Sequence, residues 1–244
     1  MASIHEKIFG KPSVVSFYAS KSDLQPPEKR FIEEHASELA AAHLLDIGIG
    51  GGRTTLHLPA RVKSYTGVDI AAAMVEATRA RFGGERCDLD LRVADARDLS
   101  AWPRDAFGAV LFSYNGIDYV SRDERMIVLA EIRRVLQAGG LFCFSSHSTL
   151  AIDHAYGLRR PVRSLYVRLA NGPASLHVGK PWVMFDDGTY GRGAPTYYVH
   201  PEEMERDLLR LGFERPRIFS LETARELEGT YDDSVWLTYV TRAV

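Results

Sequence analysis

Asp46, Gly48, Gly50 and Gly52 alternate along LLDIGIGGGRTT, residues 44–55, where an apolar run ends. Glycines there remove side chains and open positive φ, so the backbone can approach a flat or extended ligand that a Cβ would push away. The following GRTTLHLPAR predicts a helix closed near Pro59, whose first turn would aim free N–H groups and partial positive charge at a ligand carboxylate. Two nucleotide-phosphate readings do not fit. In a dinucleotide fingerprint counted from Gly48 and Gly50 the third glycine falls on Arg53, and a phosphate loop needs Gly-Lys before Ser or Thr where GGRTT has arginine.

The elements that must position this loop read as strands alternating with helices. PPEKRFIEEHASELAAA, residues 26–42, predicts one helix, with Phe31, His35 and Leu39 at every fourth position. HLLDIG and SYTGVDI predict strands, and AAAMVEATRARF a helix rich in good formers. LDLRV alternates like a strand wet on one face and is expected at an edge, whereas AVLF and LFCF are continuously apolar and are expected in the centre. Between those two, RDERMIVLAEIRRVLQAGG carries Met126, Leu129, Arg133 and Leu136 at helical spacing. The alternation predicts a parallel sheet with right-handed crossovers. It breaks over residues 148–199, which are rich in proline, glycine and tyrosine and read as an inserted cap after strand five. It resumes with HPEEMERDLLRLGFE as a helix ending near Gly212, then PRIFSL and SVWLTYVTRA as closing strands. The expected fold is a single α/β domain over residues 1–244, Rossmann-like and doubly wound, with a mostly parallel seven-stranded sheet.

Composition narrows the partners. A formal charge of -2 with mixed signs leaves no broad cationic face, so neither nucleic acid nor a membrane surface is expected. MASIHEKIFGKPS lacks the apolar core of a signal peptide, and no apolar run approaches the ~18 residues of a membrane span, so a cytoplasmic location is expected. Cys87 and Cys143 make neither a disulfide framework nor a zinc site. His154, His177 and His200 lack metal-ligand spacing, and no metal is expected.

The pattern acid-x-Gly-x-Gly-x-Gly, with GVDI, ADARDL and FSYNGIDYV following in order, resembles the class I S-adenosylmethionine-dependent methyltransferases. The resemblance runs from about Glu28 to His147 and more loosely from His200 to Val244. It implies that Asp69 accepts both ribose hydroxyls and that Ile70 and Met74 lie against adenine. Asp95 would accept from the exocyclic amine while the Ala96 N–H serves a ring nitrogen. The backbone near Ser113 and Tyr114 would face the aminoacyl part, together with Asp46. Tyr18, in SFYAS, is the candidate for the family's N-terminal tyrosine, and Asn115 could bind cofactor or close the turn. The implied cofactor is S-adenosylmethionine, with S-adenosylhomocysteine as product.

Methyl transfer is an in-line displacement, so positioning carries most of the catalysis, and a base is required where the acceptor arrives protonated. Asp118 and His147 follow strands four and five and are the candidates for that duty. Arg159, Arg160, Arg163 and Arg168 would suit an anionic group but read better as a solvated helical face. Tyr190, Tyr197 and Tyr198 could stack on a flat acceptor, or simply pack the cap. The expected function is methylation of a small molecule at oxygen or nitrogen. Methylation of RNA or protein, and cofactor binding without transfer, are the alternatives.

Overall fold

Apolar runs without alternation belong in strands covered on both faces. The computed structural model, which describes residues 4–82, 89–150, 180–186, 195–228, 231, 234 and 236–244, puts them there. β1 (His43–Ile47), β2 (Ser64–Asp69), β3 (Asp90–Val93), β4 (Phe107–Phe112) and β5 (Leu136–Ser148) are parallel neighbours in the order β3-β2-β1-β4-β5. Leu44, Leu45, Ala109, Val110 and Phe142 are fully buried, whereas Val93 on β3 is 54% exposed, as an edge strand allows. The order reverses between β1 and β4, so crossovers diverge there and open a crevice beyond the strands' carboxyl ends.

Four more strands complete a nine-stranded sheet among the described residues. β6 (Trp182–Phe185) pairs antiparallel with β7 (Thr196–Val199), and β7 joins β5 in parallel at His147–Tyr198 and Ser148–Val199. β8 (Arg217–Ser220) and β9 (Trp236–Arg242) are antiparallel to each other, and β9 runs antiparallel along β5 from Leu141 to His147. The mostly parallel α/β architecture is the expected one. β6 and β7 are additions to the seven expected strands and come from the segment expected as a cap. Arg159, Arg160, Arg163, Arg168, His154, His177 and Tyr190, also in that segment, lie outside the described residues.

The helices are α1 (Ile4–Phe9), α2 (Pro12–Ala19), α3 (Pro26–Glu34), α4 (Ala36–Ala41), α5 (Ala72–Phe82), α6 (Arg122–Val135) and α7 (Pro201–Arg210). The single helix expected over residues 26–42 is broken at His35, whose Nδ1 lies 3.0 Å from Glu38 Oε1. α6 opens on a capping box in which Ser121 and Glu124 satisfy each other's backbone N–H. Its buried stripe is Val128, Leu129, Ile132 and Val135, with Arg125 one turn earlier. That face is rotated from the expected one: Arg133 turns outward to donate to the Gly212 carbonyl at 2.9 Å, and Leu136 already belongs to β5.

The helix expected after the glycine loop is absent. Residues 50–57 form successive turns, followed by a short 3-10 turn at Pro59–Arg61. The side chains explain it. Arg53 reaches to α3, Thr54 to β1 and Thr55 to β2, so each is tied to a different element. Two adjacent threonines also favour a helix little.

Candidate active site

The loop leaving β1 and the ends of β2 and β4 surround a cavity of about 350 Å³. Gly48 and Gly50 line it. Gly50 has φ +55°, and a Cβ there would stand 3.6 Å from the ring of Tyr18, which lines the same cavity. Gly51 does different work: a Cβ on it would meet the Ala19 backbone at 2.3 Å, so its bareness lets α2 rest on the loop. Gly52 does not line the cavity and packs against Phe82 and Thr78 of α5.

Asp69, at the end of β2, is 8% exposed and lines the cavity. Its Oδ2 accepts the Gly50 N–H and its Oδ1 the Ala71 N–H, both at 2.9 Å. A carboxylate has about four acceptor positions, so each oxygen keeps one for a ligand. Burial, opposed by those backbone donors, pushes Asp69 up to about 6. A pair of hydroxyls donating to it would favour the charged form, which is the fit a ribose requires. Ile70, Met74, Ala94 and Ala96 add apolar lining to the same cavity.

Asp46 lies elsewhere. It is 1% exposed, does not line the cavity, and its Oδ2 accepts from Thr54 Oγ1 at 2.5 Å and Tyr65 Oη at 2.7 Å. Burial pushes its carboxyl up to about 6 as well. In this arrangement it fastens the loop to β2 and makes no approach to the cavity.

Asp95 and Ala96 also line the cavity. Asp95 Oδ1 takes the Arg97 backbone N–H at 2.9 Å, and the Arg97 guanidinium forks onto the carboxylate while also reaching Glu124. Burial would raise this acid, but Arg97 outweighs it and holds Asp95 below its ordinary value. Ser113, Tyr114 and Tyr18 line the cavity too. Tyr114 and Asn115 both have left-handed φ, 55° and 60°, a costly backbone for two successive non-glycine residues. Asn115 is fully buried beside Ser145, whose Oγ accepts its N–H at 2.9 Å, and does not line the cavity.

Arg53, which displaces the glycine of a dinucleotide fingerprint, is a site residue that sequence reasoning passed over. It is 7% exposed and forks onto Glu28 of α3 at 2.6 and 2.7 Å, with a further bond of 2.8 Å to Ser113 Oγ. Its guanidinium carbon lies 5.1 Å from the centre of the Tyr114 ring. One buried cation thus ties α3, the glycine loop and the segment after β4 together.

Asp118 and His147, 29 residues apart, meet. Asp118 is fully buried, and its Oδ2 accepts both the backbone N–H of His147 and its Nδ1, each at 2.7 Å. A carboxylate only accepts, so Nδ1 carries the proton and Nε2 holds the free lone pair. Neither residue lines the cavity. The His147 ring packs 4.8 Å from Tyr198 and 5.7 Å from Trp236, and Trp236 lies 5.1 Å from the cavity-lining Tyr114. Tyr197, by contrast, turns to the other face and stacks on Trp182 at 5.8 Å. Among the described residues no group of three or more His, Cys, Asp and Glu could hold a metal, and no helix is long and apolar enough to cross a membrane.

Comparison with known proteins agrees with this layout. Residues 44–140 match a family model described as a methyltransferase domain. A Geobacillus sp. (strain WCH70) protein with a provisional methyltransferase name is 23% identical over 117 residues, 48% of this chain and 47% of that one; the chain therefore spans about half the length of this curated relative. The CcbJ methyltransferase of Streptomyces caelestis superposes with a TM-score of 0.65 at 18% identity, covering 98% of each chain. The 1,6-didemethyltoxoflavin-N1-methyltransferase of Burkholderia thailandensis, solved with 1,6-didemethyltoxoflavin and S-adenosylhomocysteine bound, gives 0.64 at 16% identity, covering 100% of this chain and 91% of that one. A Methanosarcina mazei methyltransferase gives 0.63 at 17%, covering 91% and 99%. At these identities the superpositions speak for the fold. Residues 44–140 thus match a methyltransferase domain, and the chain shares the fold of these solved methyltransferases, with a crevice at the point where strand order reverses.

Proposed function

We propose that the protein methylates an oxygen or nitrogen of a small molecule, using S-adenosylmethionine and releasing S-adenosylhomocysteine. The bound cofactor would supply an electrophilic sulfonium methyl. Asp69 would hold the sugar hydroxyls, Ile70 and Met74 the base, and Tyr18, Ser113 and Tyr114 the aminoacyl end. The acceptor belongs beside Tyr114 and Trp236, where aromatic rings offer a flat apolar surface. His147 Nε2 would accept the proton that the acceptor's oxygen or nitrogen gives up on methylation.

The observation that carries this reading is the 2.7 Å bond from His147 Nδ1 to Asp118, which leaves Nε2 as an acceptor. Such a group is useful where the nucleophile arrives as O–H or N–H. The net charge of -2 and the aromatic surroundings suit a small neutral molecule better than a polyanion.

The test is incubation of the full chain with methyl-labelled S-adenosylmethionine and, separately, a metabolite extract, total RNA and total protein. Label should enter a low-molecular-weight fraction, and His147→Gln should slow that transfer by about 10²–10⁴-fold. Label in RNA or protein, or cofactor binding with no transfer, overturns the proposal.

A further inference from the structure

Arg125 stands where the stripe of α6 calls for an apolar side chain, yet it is completely buried. A charge there must be held by partners. Its Nη1 donates to Asp118 Oδ1 at 2.6 Å and to the Ile117 carbonyl at 3.0 Å, while Nη2 donates to Ser146 Oγ at 3.0 Å. Ser146 Oγ in turn donates to the same Asp118 Oδ1 at 2.7 Å. Both donors therefore converge on one carboxylate oxygen, and the other is left to the backbone and ring of His147.

We propose that Arg125 is the positioning residue of this pair: it pins Asp118 so that Oδ2 faces His147 Nδ1, and its charge sets the pH at which the pair takes up a proton. The inference rests on His147 serving as the base. His147 faces Asp118, Tyr198 on β7 and Trp236 on β9. Asp118 faces Arg125, Ser146 and His147. Arg125 also lies 4.8 Å from the Tyr197 ring and 3.9 Å from Met204 Sδ of α7, and Tyr239 of β9 feels both Arg125 and Asp118. The remaining acids of α7 nearby, Glu203 and Asp207, are engaged by Arg122.

The sign follows from charge. With Arg125 in place, the carboxylate is already compensated and holds an imidazolium less strongly. Without it, the anion of Asp118 is bare, and the pair binds its first proton at higher pH whichever residue carries it. That proton occupies the lone pair the acceptor needs.

The experiment is ring-nitrogen NMR of His147 in the full-length, isotopically labelled protein across pH, which needs no acceptor. Arg125→Met should raise the His147 titration midpoint by about one pH unit or more. Arg125→Lys keeps the charge but not the fork, so its midpoint should stay within about half a unit while the Nδ1–H tautomer gives way to a mixture. An unmoved midpoint in Arg125→Met overturns the proposal. Should that variant not fold, a pure Nδ1–H tautomer in Arg125→Lys overturns it equally. The base reading fails separately, if His147→Gln transfers label as fast as the unaltered chain.

Discussion

Replacing Asp69 by alanine removes the acceptor assigned to both sugar hydroxyls of the cofactor. Each carboxylate oxygen already takes one backbone N–H at 2.9 Å and keeps one position for the ligand, so two charge-assisted hydrogen bonds are lost. At about 1.5–3 kcal/mol each, they amount to about 3–6 kcal/mol, or about 10²–10⁴-fold in Kd. Calorimetric titration with S-adenosylhomocysteine measures this directly. The same experiment has a pH arm. Burial holds Asp69 at about 6, and the proposed sugar hydroxyls would donate to its ionised form. Affinity should therefore be full above that pH and fall as pH drops through it, by up to about tenfold per unit. Asp69→Ala should lose this dependence along with the affinity. A Kd within about fivefold of the unaltered protein, or an unchanged pH profile in the variant, refutes the placement of the sugar on Asp69.

Gly50→Val places a β-branched residue at φ +55° with its Cβ toward Tyr18, so S-adenosylhomocysteine affinity should fall at least about tenfold while far-ultraviolet circular dichroism is retained. Arg53→Met leaves Glu28 buried without its cation and should cost about 3–5 kcal/mol in urea unfolding, most of it recovered in Arg53→Met/Glu28→Leu. Asp46, held at about 6 against an ordinary 3.8, contributes stability that is complete below the lower value and lost as pH rises through the higher one. Asp46→Asn cannot ionise, so between about pH 5 and pH 7 the unaltered protein should lose about 1 kcal/mol relative to it in paired urea titrations.

What could be read from the chain and what could not divides along physical lines. AVLF and LFCF are apolar without alternation, and that is sufficient to make them central strands. Asp69 is placed by its position at the end of the SYTGVD strand. β6 and β7 were not legible, since four residues each, amid prolines and glycines, carry too short a period to detect. The helix expected after Gly52 failed because side-chain anchors from Arg53, Thr54 and Thr55 overrode local preference. Glu28 and Arg53 are 25 residues apart and carry no local sign of their union. Arg125 did leave a trace: it shares the phase of Val128, Leu129 and Ile132, and an arginine in that phase signals a buried partner.

β5 runs on past its last pairing with β4 at Phe144, and β7 docks along the overhang at His147 and Ser148 while β9 follows the opposite margin. His147 is therefore mounted on a jetty of main chain braced from both flanks, in contrast to residues borne on free loops. Neighbouring turns can change length or composition to suit a different acceptor without carrying the imidazole along with them.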